Sequence, residues 1–269
     1  KRRRLFYVAR YGKSALESAG NARVYDDADA TIGHESSEAA MSKPIIALDF
    51  PSLQEVEQFL SLFQNERLHV KVGMQLFYKE GPKIIEKLKA DGHWVFLDLK
   101  LHDIPNTVKA AMKSLSSLEV DMVNVHASGG VKMMEAALEG LKSGNARPLC
   151  IAVTQLTSTS EEMLKTELLI QEKLEQTVLH YAGLAKQAGL DGVVCSALEV
   201  PLLKESIPNF ITVTPGIRLA GDDAHDQTRI VTPRKAKQLG SDYIVVGRSI
   251  TKSEHPLAAY ERVVAEWKN

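Results

Sequence analysis

From residue 45 to the C-terminus the chain alternates between two hydrophobic patterns. Short, nearly continuous apolar or β-branched runs recur at Ile45–Asp49, His69–Gly73, Trp94–Lys100, Met122–His126, Leu149–Thr154, Gly192–Ser196, Phe210–Pro215 and Tyr243–Gly247. Between them lie amphipathic segments, Leu53–Phe63, Gly81–Lys89, Val108–Leu115, Val131–Leu141, Leu174–Ala188, Val200–Lys204 and Pro233–Leu239, with a last one at Ala258–Trp267. The first pattern predicts buried strands and the second predicts helices. Strict alternation of the two implies parallel strands joined by crossover helices. Eight units in this length favour an α/β fold of one domain, a closed (β/α)8 TIM barrel over residues 41–269, rather than an open doubly wound sheet.

Residues 1–40 do not share this patterning. They open with Lys1-Arg2-Arg3-Arg4 and contain no strand run and no sustained helical period. Residue 1 is not methionine and the first methionine is Met41, so the segment reads as an appended, non-native leader ahead of a start at Met41. Six acidic residues, Glu17, Asp26, Asp27, Asp29, Glu35 and Glu38, argue against a transit peptide, a class poor in acid. They also nearly balance the seven Lys and Arg of the segment, which leaves little charge for a nucleic-acid arm.

Charge and cysteine usage narrow the function classes. A net charge of −1 over 269 residues provides no global field for nucleic acid or a membrane surface, so small molecules are the expected partners. No apolar run approaches the roughly 20 residues of a membrane span. Cys150 and Cys195 sit in strand-like runs without Cys-x-x-Cys spacing and read as small core residues, which suits a reducing cytoplasm.

In a barrel of this kind the chemistry lies at the C-terminal ends of the strands. The predicted ends carry Asp49, Lys71, Asp98, Lys100, His126, Thr154, Ser196, Thr214-Pro215-Gly216-Ile217-Arg218 and Gly247-Arg248-Ser249, whereas the N-terminal ends look bland. The densest cluster is Asp98-Leu99-Lys100-Leu101-His102-Asp103-Ile104-Pro105-Asn106-Thr107. Residues two apart on a strand share a face, so Asp98 and Lys100 are expected side by side with Asp103 following in the loop. A lysine flanked by carboxylates is held protonated, which suits it as an acid and not as a Schiff-base nucleophile. Such a cluster is also compatible with a structural ion pair at a strand end.

The other side of the predicted mouth reads differently. Loops after strands seven and eight of such barrels commonly bind phosphate, and here they carry Gly216 with Arg218 and Gly247 with Arg248. Glycine admits close backbone approach to an oxyanion, and arginine presents a planar fork of donors. The polar stretch 219–229, which includes Gln227, is long enough to form a lid. There is no His-x-x-x-His or paired-Cys element for a metal, although carboxylates alone could hold Mg2+. His126, a single histidine ending a strand, reads as a hydrogen-bonded structural residue.

Taken together, Ala47-Leu48-Asp49, Lys71-Val72-Gly73, the Asp98-to-Thr107 motif, Thr214-to-Arg218 and Val246-Gly247-Arg248-Ser249 closely resemble the bacterial orotidine 5′-phosphate decarboxylases, in that family's order and from Met41 onward. The resemblance implies decarboxylation of orotidine 5′-monophosphate to UMP, the last step of de novo UMP synthesis, without metal or organic cofactor. It implies that Asp49 and Lys71 bind ribose hydroxyls, that Asp98 lies against the substrate carboxylate, and that Lys100 delivers a proton to C6. It further implies that Asp103 and Thr107 complete the site of a neighbouring subunit, so that the enzyme is a homodimer. Thr157 and Pro215 would meet the substrate, while Arg218, Gln227, Gly247 and Arg248 would hold its phosphate. Two rivals remain at this level: a Mg2+-dependent sugar-phosphate enzyme with the same Asp-x-Lys-x-x-Asp element, and an idle phosphosugar-binding barrel.

Overall fold

The computed structural model describes residues 43–64, 66–145, 147–222 and 229–269. The expected leader at 1–40 and Gln227 in the expected lid lie outside the described residues. Eight strands run in chain order: β1 (Ile45–Ala47), β2 (His69–Gly73), β3 (Trp94–Leu101), β4 (Met122–His126), β5 (Leu149–Val153), β6 (Gly192–Val194), β7 (Ile211–Ile217) and β8 (Tyr243–Val246). Each pairs in parallel with the next, and β1 pairs with β8 through Ile45 opposite Val245, which closes the barrel. The expected fold is therefore the observed one.

Alternation of side chains divides the core into two shells. Inward residues Ile45 and Ala47 of β1, Phe96 of β3, Met122 of β4, Ile151 of β5, Val213 of β7 and Tyr243 and Val245 of β8 fill the barrel interior. Their sequence neighbours, such as Ile46, Val95, Leu97, Val123, Cys150 and Ile244, face outward into a larger shell shared with the helices. Strands buried on both faces explain why the runs read as continuous rather than alternating. Both cysteines are buried, as expected, and burial pushes each thiol up to about 12, so neither is a nucleophile.

The helices are α1 (Leu53–Leu60), α2 (Met74–Glu80), α3 (Pro82–Ala90), α4 (Pro105–Leu115), α5 (Gly130–Leu141), α6 (Glu161–Thr166), α7 (Leu174–Gln187), α8 (Val200–Ser206), α9 (Pro233–Gln238), α10 (Arg248–Thr251) and α11 (Pro256–Lys268). Local chemistry sets several starts. Ser52, Ser160 and Thr232 accept N–H bonds in the first turns of α1, α6 and α9, and proline opens α3, α4, α9 and α11, where its missing N–H costs nothing. Helices α2, α6 and α10, of seven, six and four residues, were not expected: each is a short second helix beside α3, α7 or α11, beyond the single helix per strand that strict alternation predicts. Ser196 and Thr154 take the plain roles open to such residues, Ser196 in a capping box with Glu199 and Thr154 donating to the Val194 carbonyl.

The N-terminal ends of the strands are not bland, which corrects the expectation. Asp121, Asp191 and Asp242 immediately precede β4, β6 and β8. Each accepts a backbone N–H from the strand before it, from Val95, Cys150 and Thr212, at 2.7 Å in every case. Each also pairs with a basic residue lying ahead of its strand, Lys89, Arg147 and Lys204 respectively. His93 acts likewise before β3, its Nδ1 accepting the N–H of Leu68 at 3.1 Å. These side chains satisfy donors that the start of a strand would otherwise leave unpaired.

Candidate active site

At the opposite, C-terminal end of the barrel, charged groups from three adjacent strands join into one chain. Lys71 of β2 places Nζ 3.3 Å from Asp49 Oδ1, just past β1, and 3.2 Å from Asp98 Oδ2 on β3. The other oxygen of Asp98 lies 2.7 Å from Lys100 Nζ. The order is thus Asp49, Lys71, Asp98, Lys100, with signs alternating and a net charge of zero. Its centre is buried and its ends are open: the side chain of Asp98 is 10% exposed, that of Lys100 29% and that of Asp49 62%.

Burial opposes both charged forms at the centre of this chain, but the partners prevail. Burial would lower Lys71, yet Asp98 and Asp49 hold it above the ordinary lysine value. Burial would raise Asp98, yet Lys71 and Lys100, with hydrogen bonds from Lys100 and Asn124, hold it below the ordinary carboxylate value. Asp98 is therefore a fixed anion with both oxygens occupied. A divalent cation at this point would have to displace an ammonium group.

The expected juxtaposition of Asp98 and Lys100 is present, but a regular strand does not produce it. Leu97 stands opposite Val123 and Leu101 opposite Val125, so three residues of β3 face the single residue Asn124 of β4. Lys100 sits within this bulge at φ 52°, a conformation that costs a non-glycine residue roughly 1–2 kcal/mol. Backbone strain of this kind gathers at functional sites. Gly73 supplies space on the neighbouring strand: a Cβ there would lie 3.2 Å from Lys71 Nζ and 3.5 Å from Asp49 Oδ1.

Asp103 does not join the chain of ion pairs within one molecule. Its Oδ1 accepts the N–H of Ile104 at 2.6 Å, and among the described residues no ion pair links it to Lys100. Asp103, Ile104, Pro105, Asn106 and Thr107 are all exposed, Ile104 to 67%. His126, at the end of β4, contacts Ser128 through Nδ1 and stacks on His102 with centroids 5.5 Å apart, consistent with its structural reading.

Across the mouth, β7 and β8 build a basic cavity. Gly216, at φ 79°, lies in the irregular stretch between Thr214 and Ile217, where a side chain would be strained. The chain leaves the barrel after Arg218 and is fastened where it returns: Arg218 N–H donates to the Val231 carbonyl at 3.0 Å and Val231 N–H to that of Gly216 at 3.2 Å. A cavity of about 710 Å³ is bordered by Arg218, Gly221, Arg248, Ser249, Lys252 and Arg262. Arg248 opens α10 directly after Gly247, and Pro215 lies within β7. Thr157 is half-buried in the loop after β5.

Two structural features escaped the sequence reading. Asn124, buried inside the barrel, bonds both to Asp98 and to the backbone of Lys100. Its only signal was a polar residue at an inward position of an apolar strand. Arg229, at the returning end of the expected lid, pairs with Glu199 and donates to the Leu156 carbonyl at 2.7 Å, tying together the segments that follow β5 and β6. No spacing rule links residues so far apart in sequence.

Comparison with known proteins places this arrangement. Residues 42–263 match the model of the orotidine 5′-phosphate decarboxylase / HUMPS family. A protein of Bacillus mycoides (strain KBAB4) named orotidine 5′-phosphate decarboxylase is 66% identical over 229 residues, which cover 83% of this chain and 96% of that relative. Among solved structures, orotidine 5′-phosphate decarboxylase from Lactobacillus acidophilus superposes with a TM-score of 0.76 at 42% identity, over 84% of this chain and 99% of that one. An uncharacterized conserved protein from Geobacillus kaustophilus superposes with a TM-score of 0.74 at 57% identity, over 83% and 99%.

Proposed function

The chain belongs to the orotidine 5′-phosphate decarboxylase / HUMPS family and converts orotidine 5′-monophosphate to UMP and CO2 in pyrimidine biosynthesis; we propose that Lys100 protonates C6 directly, within the charged chain at the barrel mouth. The alternating order Asp49, Lys71, Asp98, Lys100 is the observation that carries this reading. Decarboxylation breaks the C6–carboxylate bond and leaves the electron pair on a carbon with no internal sink. What a protein can set against that pair is a cation already in place. The chain of four groups is neutral, so the negative charge to be balanced is the substrate's own, first on the carboxylate and then on C6. Lys100 stands at one end of the chain, partly open to solvent, and a proton passing from its Nζ to C6 completes UMP.

The remaining residues have supporting roles in the same reading. Lys71, fixed between two carboxylates, and Asp49, largely open to solvent, take the ribose hydroxyls. Asp98 keeps Lys71 and Lys100 in register and faces the carboxylate that leaves. Arg218, Gln227, Gly247 and Arg248 hold the phosphate, while Pro215 and Thr157 bound the base. Phosphate contacts remote from C6 supply binding energy that the closed site uses in the transition state.

A homodimer belongs to this proposal. Asp103 and Thr107 are exposed, beside the exposed apolar Ile104, while Met74 and Tyr78 expose further apolar surface on α2, after the neighbouring strand. Together they suit a second copy, whose site Asp103 and Thr107 would complete. No helix among the described residues is long and apolar enough to cross a membrane, and we assign the enzyme to the cytoplasm.

The test is incubation with orotidine 5′-monophosphate in EDTA, following the orotate absorbance. Loss of absorbance with formation of UMP is expected. Folded protein that leaves the nucleotide intact, but turns over a sugar phosphate when Mg2+ is added, would contradict the reading.

A further inference from the structure

Asn124 is 1% exposed, on the inward face of β4 one step above Met122. Its Oδ1 accepts the backbone N–H of Lys100 at 2.8 Å, and its Nδ2 donates to Asp98 Oδ1 at 2.7 Å. Asn124 is the residue of β4 opposite the three-residue bulge Asp98-Leu99-Lys100, where the ladder between β3 and β4 loses its register. The two contacts need opposite chemistry, an acceptor for the N–H and a donor for the carboxylate. A carboxamide offers both on adjacent atoms, whereas a carboxylate offers only acceptors and an aliphatic side chain neither.

We propose that Asn124 is a positioning residue for the decarboxylation. Its carbonyl holds the backbone of Lys100 at positive φ, so that the bulge does not relax into a regular strand. Its N–H bond fixes the rotation of the Asp98 carboxylate, directing Oδ1 to Lys100 and Oδ2 to Lys71. One side chain thereby sets both the origin of the Lys100 side chain and the anion to which its Nζ is tethered. The inference rests on Lys100 acting as the proton donor.

The test compares Asn124→Ala and Asn124→Asp with the unaltered full chain in steady-state turnover, with UMP affinity and thermal unfolding measured alongside. For the alanine variant kcat falls about 100-fold, the scale expected when reacting groups are misplaced by about 1 Å. KM and UMP affinity stay within about threefold, since Asn124 bonds neither Lys71, which Asp49 also holds, nor the phosphate loops. For the aspartate variant kcat falls at neutral pH, where a second carboxylate lies against Asp98 and the donor is gone. When protonated, that carboxyl again offers a donor and an acceptor, so the ratio of its kcat to that of the unaltered enzyme rises as pH is lowered from about 8 to 5. The charged or titratable groups facing position 124 are Asp98 and Lys100 from β3, Lys71 from β2 and His126 on β4, while β5 presents Ile151. All are present in both proteins, so the pH dependence that the two share drops out of the ratio.

An alanine variant with kcat within threefold of the unaltered enzyme, or one changed only in KM, would overturn the inference. If that variant does not fold, the near-isosteric aspartate variant decides, and a ratio flat with pH would overturn it. Lys100→Ala separates the two levels of failure. If that variant turns over normally, the reading of the site is wrong; if it is inactive while the Asn124 variants are not, this inference alone falls.

Discussion

The two ends of the barrel both carry aspartates paired with basic residues, and the difference lies in how many charged partners each group has. At the N-terminal end Asp121, Asp191 and Asp242 each serve one basic side chain and one strand N–H, and Asp242 the Thr212 hydroxyl as well, in three separate and similar units. At the C-terminal end Lys71 serves two carboxylates and Asp98 two ammonium groups, so that four residues form one continuous network. The first arrangement satisfies hydrogen bonds locally. The second leaves Lys100 partly exposed at the end of a connected chain, on a strained backbone, with an aspartate whose charge is locked. Counting charged residues at strand ends does not distinguish stability from chemistry; connectivity and strain do.

The comparison breaks most sharply at its connected end. Asp98→Asn removes the anion that holds both lysines, and turnover is expected to fall about 1000-fold or more, on the scale of lost electrostatic preorganisation. Steady-state decarboxylation checks this. At the other end, Asp191→Ala strips the Cys150 N–H and Arg147 of their partner and should cost about 2 kcal/mol in urea unfolding, with kcat per folded molecule within about twofold. If Asp191→Ala instead lowered kcat tenfold at unchanged stability, the division of labour between the two ends would be wrong.

Smaller changes sharpen it. Gly73→Ala brings a Cβ within 3.2 Å of Lys71 Nζ at an unstrained φ of −92°, so Lys71 must shift by a few tenths of an ångström. Steady-state assays should show a loss in kcat/KM of roughly three- to fivefold, scaled from the cost of a 1 Å displacement. The smallest expected effect is on pH dependence. Burial, the largest influence, holds His93 below the ordinary histidine value, so the unfolded chain takes up a proton that the folded chain refuses. This contribution to stability is full above about pH 6.5 and is lost as pH falls below it. His126 is depressed in the same direction by burial, His102 and Lys100. Urea midpoints measured between pH 8 and pH 5 should decline toward acid, and His93→Asn, which keeps an acceptor for the Leu68 N–H, should flatten the decline.

The sequence disclosed the barrel because its eight strands are buried on both faces and its longer helices repeat every three or four residues. It disclosed the charged residues at the mouth because Asp98, Lys100 and their neighbours interrupt apolar runs where no core residue would. Helix α10 stayed hidden at four residues, and so did the N-terminal aspartates, each of which looks like an ordinary turn residue until the strand beside it is in place. The bulge at Lys100 and the partnership of Asn124 were unreadable for a related reason: register between β3 and β4 is a property of two strands, and neither carries it alone. The exposed ribbon Asp103 to Thr107 is the converse case: the resemblance assigned Asp103 and Thr107 to a neighbouring subunit's site, and within one chain they lie exposed.

The most direct measurement is on Lys100→Ala, comparing turnover of orotidine 5′-monophosphate with affinity for UMP. Turnover lowered by about 1000-fold or more, with UMP bound within about tenfold of the unaltered affinity, is the expected result for a proton donor that contributes to the reaction more than to binding. Turnover within tenfold of the unaltered enzyme would show that the connected chain at the barrel mouth does not deliver the proton through Lys100.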